Sequence, residues 1–588
     1  MREVITYKKV SSLKRYYVKK LASFTVISVV FFILSACSSS PHHTIDNKDK
    51  NQALKQTYFD VDIYSFDGTK IKATIFQPKL KVGETAPLVI HTHGLATFRM
   101  SGPMSPISQF VITGQAARKA WKSGYWVISY DQRGHGVSGG TINIMDPQHE
   151  VRDVTAVIDW AQKNLSRISY DKADPLIGMV GESYGGQAQL LGATLDSRID
   201  AIVPFNTWNN LETALYPNRV PKSGWLTMLV FSSNIMSMGR MDPMINKAYI
   251  NARKGFVPPE VFDYLEDHAF NYYCEKGQIP KVDVFMVQGF RDVLFPINEA
   301  TKNYHCLKQS GKDIRFIGTQ GGHILPLSQF SMIPGFQVER TVHCDDKKID
   351  LRDAVVSWFD EKLKKKEGAA ASIPPVCLTH DTKSGTVFSD IPTGGKTFSV
   401  NKAEIKSGFS GFFELPMGIV DRMTAVFRRD QKQVYHGDLH TSGGSLRPAF
   451  IPLTAVEESG TITGIPIADI EIENPNAHTN PILFLSIGIK RKSSNKITIL
   501  NEQVTPIKGT GKMKVELAGI SSKLKKGDII GLVIKSYSNQ FRLSRSGWLT
   551  QAKVGGKIML PIQEVQTGGL VSHFASRDAL ESTQINSK

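Results

Sequence analysis

Between about residues 58 and 366, short runs that are apolar throughout alternate with stretches of helical periodicity. Leu88-Val89-Ile90, Trp126-Val127-Ile128, Ile177-Gly178-Met179-Val180, Ile202-Val203, Val284-Phe285-Met286-Val287 and Ile314-Arg315-Phe316-Ile317 read as strands. A strand apolar at successive positions has both faces covered, as in a parallel sheet held between two helical layers. Val151, Val154, Ile158 and Ala161 recur at helical spacing, and Val355, Trp358 and Leu363 fit a later helix. The alternation predicts a doubly wound α/β sheet over 59–366, with functional residues in loops at the carboxyl ends of its strands. Residues 206–280 break the pattern with Trp208, Trp225, a methionine run (Met228, Met236, Met238, Met241, Met244) and an aromatic-rich helix from about Pro259 to Cys274. They read as a helical cap, its methionines serving as core first and as an acyl pocket second.

The chain of 588 residues is too long for one ordinary domain. Beyond Leu363 the texture changes: Lys364-Lys365-Lys366-Glu367-Gly368 leads through three alanines to Pro374-Pro375, and 367–377 reads as a linker. Strand-like runs follow at Ile467–Ile472, Ile482–Ile489, Met513–Leu517, Ile529–Ile534 and Ile558–Leu560, with turn signals such as Ser442-Gly443-Gly444-Ser445 between them. Residues 378–565 are therefore expected to form an all-β sandwich, with a tail at 566–588.

Gly181-Glu182-Ser183-Tyr184-Gly185-Gly186 matches G-x-S-x-G, preceded by a strand and followed by a helix pattern. In that context the glycines permit a sharp turn that lifts the serine hydroxyl above the sheet. The helix N-terminus beside it favours the negative charge of an acyl-transfer transition state. A second copy, Gly136-Val137-Ser138-Gly139-Gly140, leads into no clear helix, so Ser138 is set aside. A serine nucleophile needs a base and the base an orienting carboxylate. Asp292 follows the strand Val284–Val287, and His323 follows the strand Ile314–Ile317. The chain order Ser183, Asp292, His323 is that of α/β-hydrolases. Asp283 precedes its strand, at the wrong edge; His91, His135 and His149 read as packing or loop residues. His93-Gly94 follows the strand Leu88–Thr92, and the backbone N–H groups of Leu95 and Tyr184 are the expected oxyanion donors.

With these residues in place the chain resembles the X-Pro dipeptidyl-peptidases and cocaine esterases. The resemblance rests on Asp131-Gln132-Arg133-Gly134-His135-Gly136-Val137-Ser138-Gly139, on the helix with Asp153 and Trp160, on Gly181 to Gly186 and on Gly289-Phe290-Arg291-Asp292. It extends over about 60–565 and implies a C-terminal jelly roll, in which Leu524 to Ile534 resembles a typical strand. Several members use a tyrosine side chain as an oxyanion donor; here that loop reads His93-Gly94-Leu95-Ala96-Thr97.

Residues 1–36 look like an export signal: a basic head with Lys8, Lys9, Lys14, Arg15, Lys19 and Lys20, then an apolar run from Leu21 to Ala36. Leu34-Ser35-Ala36-Cys37 resembles a bacterial lipobox, which implies cleavage before Cys37 and lipidation of its thiol. Residues 37–58 read as a polar tether. Four cysteines remain, and an exported chain can pair them in three ways; Cys344 with Cys377, flanking the expected domain end, is the first choice. The net charge of +17 falls to +11 without the first twenty residues, and no long basic run remains, so nucleic acid is not expected as a partner. No metal or phosphate-loop motif appears, so no cofactor is expected. The expectation is a membrane-anchored serine hydrolase acting on an ester or amide. The alternatives are a lipase- or lysophospholipase-like carboxylesterase, and a catalytically inactive surface binding protein. The sequence leaves the oligomeric state open.

Overall fold

The computed structural model describes residues 52–323, 339–408, 434–435, 449–474, 481–492, 497–535, 538–541 and 549–564. The expected signal 1–36, Cys37, most of the tether and the tail 566–588 lie outside the described residues. Among the described residues no helix is long and apolar enough to cross a membrane.

Ten strands form one sheet: β1 (Thr57–Tyr64), β2 (Lys70–Gln77), β3 (Leu88–Thr92), β4 (Trp126–Tyr130), β5 (Ile177–Glu182), β6 (Ile199–Phe205), β7 (Asp283–Arg291), β8 (Ile314–Gly322), β9 (Val376–Asp381) and β10 (Ser384–Phe388). Their spatial order is β1-β2-β4-β3-β5-β6-β7-β8-β9-β10. From β4 to β9 every neighbouring pair is parallel. The flanking pairs β1–β2, β2–β4 and β9–β10 are antiparallel. Every residue of β3, β4 and β5 is buried, as a strand covered on both faces requires.

Besides the short helix Pro106–Phe110, the described helices are α1 (Ile112–Lys122), α2 (Glu150–Asn164), α3 (Tyr184–Leu195), α4 (Leu211–Leu215), α5 (Ser223–Met236), α6 (Pro243–Ala252), α7 (Pro259–Leu265), α8 (Phe270–Glu275), α9 (Ile297–Lys308) and α10 (Leu351–Lys362). Alternate side chains of each strand feed opposite cores. Val89, Val127, Val180, Val203 and Ile317 pack with Ala116 and Ala120 of α1 and Val355 and Phe359 of α10. Ile90, Ile128, Met179 and Ile202 pack with Val154 and Ile158 of α2, Leu191 of α3 and Tyr304 of α9. Helices α4 to α8 make the cap. The aromatic-rich segment expected as one helix is two, because Ala269 is extended at φ −137° and ψ 145° between the turn Glu266–His268 and α8.

One expected boundary needs correction. Residues 367–377 are not a linker. Val376-Cys377-Leu378 pairs in parallel with Phe316, Ile317 and Gly318, so the first domain's sheet runs on to Phe388. The segment before it is pinned as well: Arg315 donates to the carbonyls of Ala370 (2.6 Å) and Ile373 (2.8 Å). The two prolines that read as the end of a linker instead lead straight into β9, in which only the first three residues are apolar.

The β domain starts at Lys396. One sheet combines Lys396–Gly408, Leu549–Leu560, Ile467–Glu473 and Gly511–Glu516; a second is built around Ile482–Lys490, Ile529–Lys535 and Ala449–Ala455. Side chains of both sheets, among them Ile405, Ile470, Ile472, Leu485, Ile487, Leu532 and Val554, share one core.

Two disulfides close the structure: Cys274–Cys306, between α8 and α9, and Cys344–Cys377, between the hairpin Thr341–Asp350 and β9. Peptide mapping under non-reducing conditions should recover both pairs and no free thiol among the four. The second spans 33 residues. Replacing both Cys344 and Cys377 with alanine should cost about 3–4 kcal/mol on the chain-entropy account, read as a lowered denaturation midpoint.

Candidate active site

Ser183 occupies the turn between β5 and α3 with φ 55° and ψ −114°, a backbone conformation unfavourable for a residue with a Cβ. Two contacts impose it. The Ser183 N–H donates to the carbonyl of Phe205 at 2.8 Å. A Cβ on either Gly181 or Gly185 would lie 2.2 Å from the carbonyl oxygen of Thr92, so only glycine lets β3 press against the turn from both sides.

Asp292 and His323 follow β7 and β8, adjacent parallel strands, and both are buried. His323 Nε2 lies 3.0 Å from Ser183 Oγ, and His323 Nδ1 lies 2.8 Å from Asp292 Oδ2. The other carboxylate oxygen, Oδ1, accepts the N–H groups of Leu294 (3.0 Å) and Phe295 (2.9 Å). With the imidazole proton on Nδ1, donated to the carboxylate, Nε2 is free to accept from the serine hydroxyl. Trp225 and Phe295 meet the imidazole edge-on, with ring centroids at 6.1 and 5.3 Å. Asn206 ties the acid and histidine strands together, accepting from the N–H of Gly289 (3.1 Å) and donating to the carbonyl of Gly322 (2.8 Å).

Leu95 stands in the turn Gly94–Thr97, closed by Thr97 N–H donating to Gly94 O at 3.3 Å. Leu95, Tyr184 and Ser183 line one pocket of about 1000 Å³, its open mouth included. The rest of its wall is largely cap: Trp208, Leu229, Met241, Met244, Ile245 and Leu265 are among the lining residues. Two of the run of methionines thus face the pocket, while Met228 packs on the core and Met238 is exposed.

The residues set aside prove to be scaffolding. Ser138 donates to the carbonyl of Asp131 (2.6 Å) and accepts from the N–H of Lys72 (2.8 Å). The run Asp131–Arg133 is built from buried ion pairs. Arg99 pairs with Asp131 at 2.7 Å, and Arg133 grips Asp153 through two bonds of 2.7 Å. Burial lowers the pKa values of His91, His93 and His135 to about 3, leaving them neutral; His93 accepts from Gln132 N–H at 3.1 Å.

Sequence reasoning passed over Glu182. It is buried beside Ser183, its Oε1 accepts the N–H of Gly94 at 3.1 Å, and its other oxygen accepts from the Thr113 hydroxyl. It therefore fixes the residue next to Leu95. The position before the serine in G-x-S-x-G carries no such signal, because the partner is 88 residues away in sequence.

Residues 67–325 match the profile of the X-Pro dipeptidyl-peptidase (S15) family. Over this stretch, less than half of the chain, the sequence resembles that family. Solved structures share the architecture across both domains. A CocE/NonD family hydrolase from Staphylococcus aureus superposes with a TM-score of 0.59 at 11% identity, covering 90% of this chain and 100% of that one. An aminopeptidase from a marine sediment Thaumarchaeota archaeon gives a TM-score of 0.59 at 13% identity, covering 90% and 99%. An α-amino acid ester hydrolase gives 0.55 at 13%, covering 89% and 98%. In sequence, an uncharacterised 31.7 kDa protein of the traX–finO intergenic region of Escherichia coli is 26% identical over 200 residues. That alignment covers 34% of this chain and 60% of the relative's length.

Burial raises the pKa of Glu182 from 4.5 to about 7. Between those values the folded state holds the proton more tightly than the unfolded state. This contribution is therefore most favourable below pH 4.5 and is lost as pH rises through about 7, by about 3 kcal/mol at most. Glu182→Gln keeps an acceptor for Gly94 and does not ionise. Thermal unfolding should show the variant gaining on the wild type between pH 5 and pH 8; a constant difference would exclude this origin.

Proposed function

We propose that the chain is an exported, lipid-anchored serine hydrolase that cleaves esters of apolar acyl groups through an acyl-enzyme, with Ser183 as nucleophile. The observation that carries this reading is the hydrogen-bonded series Ser183–His323–Asp292, at 3.0 and 2.8 Å, beside an apolar pocket. His323 Nε2 takes the hydroxyl proton as Ser183 Oγ attacks the ester carbonyl. The developing oxyanion is held by the N–H groups of Leu95 and Tyr184, and the loss of one such donor typically costs about 100- to 1000-fold in rate. His323 then returns the proton to the leaving alcohol, and water, deprotonated by the same imidazole, releases the acid. Asp292 keeps the imidazole in the needed tautomer and stabilises its charged form.

The family match favours a second reading, cleavage after an X-Pro dipeptide. Such a substrate presents a free ammonium, which a buried carboxylate would hold. Among the described residues, Glu212 is the one carboxylate on the pocket wall, and it is exposed. The wall supports an apolar acyl group instead. The anchor is proposed from Leu34-Ser35-Ala36-Cys37 alone.

Three measurements test this reading. A fluorophosphonate should label the wild type and Ser138→Ala but not Ser183→Ala; labelling of Ser183→Ala would move the nucleophile elsewhere. Asp292→Asn should lose about 10⁴ in kcat. Against a panel of p-nitrophenyl esters and Xaa-Pro amides, kcat/KM should rise by up to about fourfold per acyl methylene until the pocket is filled. Leu229→Trp should shift that preference to shorter chains, whereas a preference for Xaa-Pro amides would overturn the ester reading. Separately, Cys37→Ala should abolish metabolic labelling by fatty acid, and unchanged labelling would rule out the anchor.

A further inference from the structure

The loop that carries Asp292 is held from outside its own domain. Gln503, in the β domain, donates from Nε2 to the carbonyls of Phe290 (2.6 Å) and of Asp292 itself (3.1 Å). From the cap, Lys222 donates to the carbonyls of Val293 (3.0 Å) and Leu294 (2.9 Å). Gln288, on β7, takes the carbonyl of Phe295 at 2.7 Å. Five of the six carbonyls from Phe290 to Phe295 are thus claimed by three side chains, all buried.

The turn that delivers Gln503 also reaches the other loop. Asn501 donates to Gln320 Oε1 at 3.0 Å, three residues before His323, and accepts from the N–H of Ser521 at 2.7 Å. Asn501 and Glu502 sit at φ 50° and 60°, in the left-handed region that residues with a side chain seldom adopt. Arg291, next to Asp292, faces Glu502 at 3.5 Å. Docking of the domains does not need this turn to be polar. Elsewhere on the same face Asn298 donates to Leu517 O (3.1 Å) and accepts from Gly519 N–H (2.8 Å), and Ser521 donates to Thr379 O (2.7 Å).

We propose that Gln503 is a positioning residue for hydrolysis: through it the β domain sets the place of Asp292, and so the direction of the His323 imidazole. The inference rests on the Ser183–His323–Asp292 reading above. It makes the β domain part of the hydrolytic machinery rather than an attached binding module.

The test uses the full chain and p-nitrophenyl ester turnover. Gln503→Met keeps the length of the side chain without its donor. It should lower kcat at least tenfold while KM stays within twofold. If Gln503 acts through Asp292, the same change in an Asp292→Asn background should cost almost nothing more, because the two act as a unit. Asn298→Ala weakens the same interface away from the loops and should leave kcat unchanged. Should Gln503→Met fail to fold, Gln503→Glu keeps the shape: neutral it still carries an O–H and ionised it has no donor, so the same split should appear as pH rises and the carboxyl ionises. The proposal is overturned if kcat survives the loss of the donor, if the loss is as large in the Asp292→Asn background as in the wild type, or if Asn298→Ala lowers kcat equally. Full activity in Asp292→Asn alone would instead refute the triad reading, and this inference with it.

Discussion

The site depends on a backbone contact. The carbonyl of Thr92, at the end of β3, lies where a Cβ on Gly181 or Gly185 would stand, so two glycines four residues apart bracket one oxygen. That approach leaves Ser183 with a positive φ, and the N–H of Ser183 is fixed in turn by Phe205 on the far side of β5. The position of Ser183 is thus set by strands on both sides of its own. The same approach brings the loop after β3 over the N-terminus of α3, where Leu95 and Tyr184 come to line one pocket with Ser183. Strain at such a residue persists only where the surroundings over-determine it, and here main chain does so.

Around this centre the charged groups divide by function. Arg99 and Arg133 are buried with their carboxylates and hold loops together; separating either pair would strand a charge in the interior. Glu182 and Glu150 are buried without a cation close enough to offset their desolvation, and both pKa values are raised, that of Glu150 to about 8. Glu150 accepts from the Tyr184 hydroxyl at 3.0 Å and from the N–H of Asn143 at 2.7 Å, so it braces the residue after Ser183 from behind. Two carboxyls on either side of Ser183 are thus kept for the hydrogen bonds they accept.

Much of this was legible in the residues. Apolar runs with covered faces located the six central strands, though not their spatial order, and the strand-turn-helix context separated Ser183 from Ser138. Position at strand ends singled out Asp292 and His323, which the structure brings together with Ser183. The signals that failed were weak for physical reasons. Val376-Cys377-Leu378 is too short to announce a strand, and the two prolines before it imitate a linker. Lys222 and Gln503 carry no motif, because their partners are main-chain carbonyls that any sequence supplies. The break at Ala269 follows from the tertiary path of the cap and leaves no glycine or proline to mark it.

The late strands β9 and β10 also bear on how such a chain can be taken apart and recombined. The seam between the two halves lies in the stretch from Ser389 to Gly395, beyond the last strand of the parallel sheet and before Lys396. Even there the path is stitched, since Gly394 N–H donates to Ile465 O at 2.8 Å and Thr393 bridges to Ile465. A crossover at residue 367, where the composition changes, would set β8 of one parent against β9 of the other and make the mate of Cys344 depend on the second parent. Exchange between relatives is therefore expected to respect a seam that composition does not mark, with the inherited unit being the sheet through Phe388 and not the textural boundary visible in the chain.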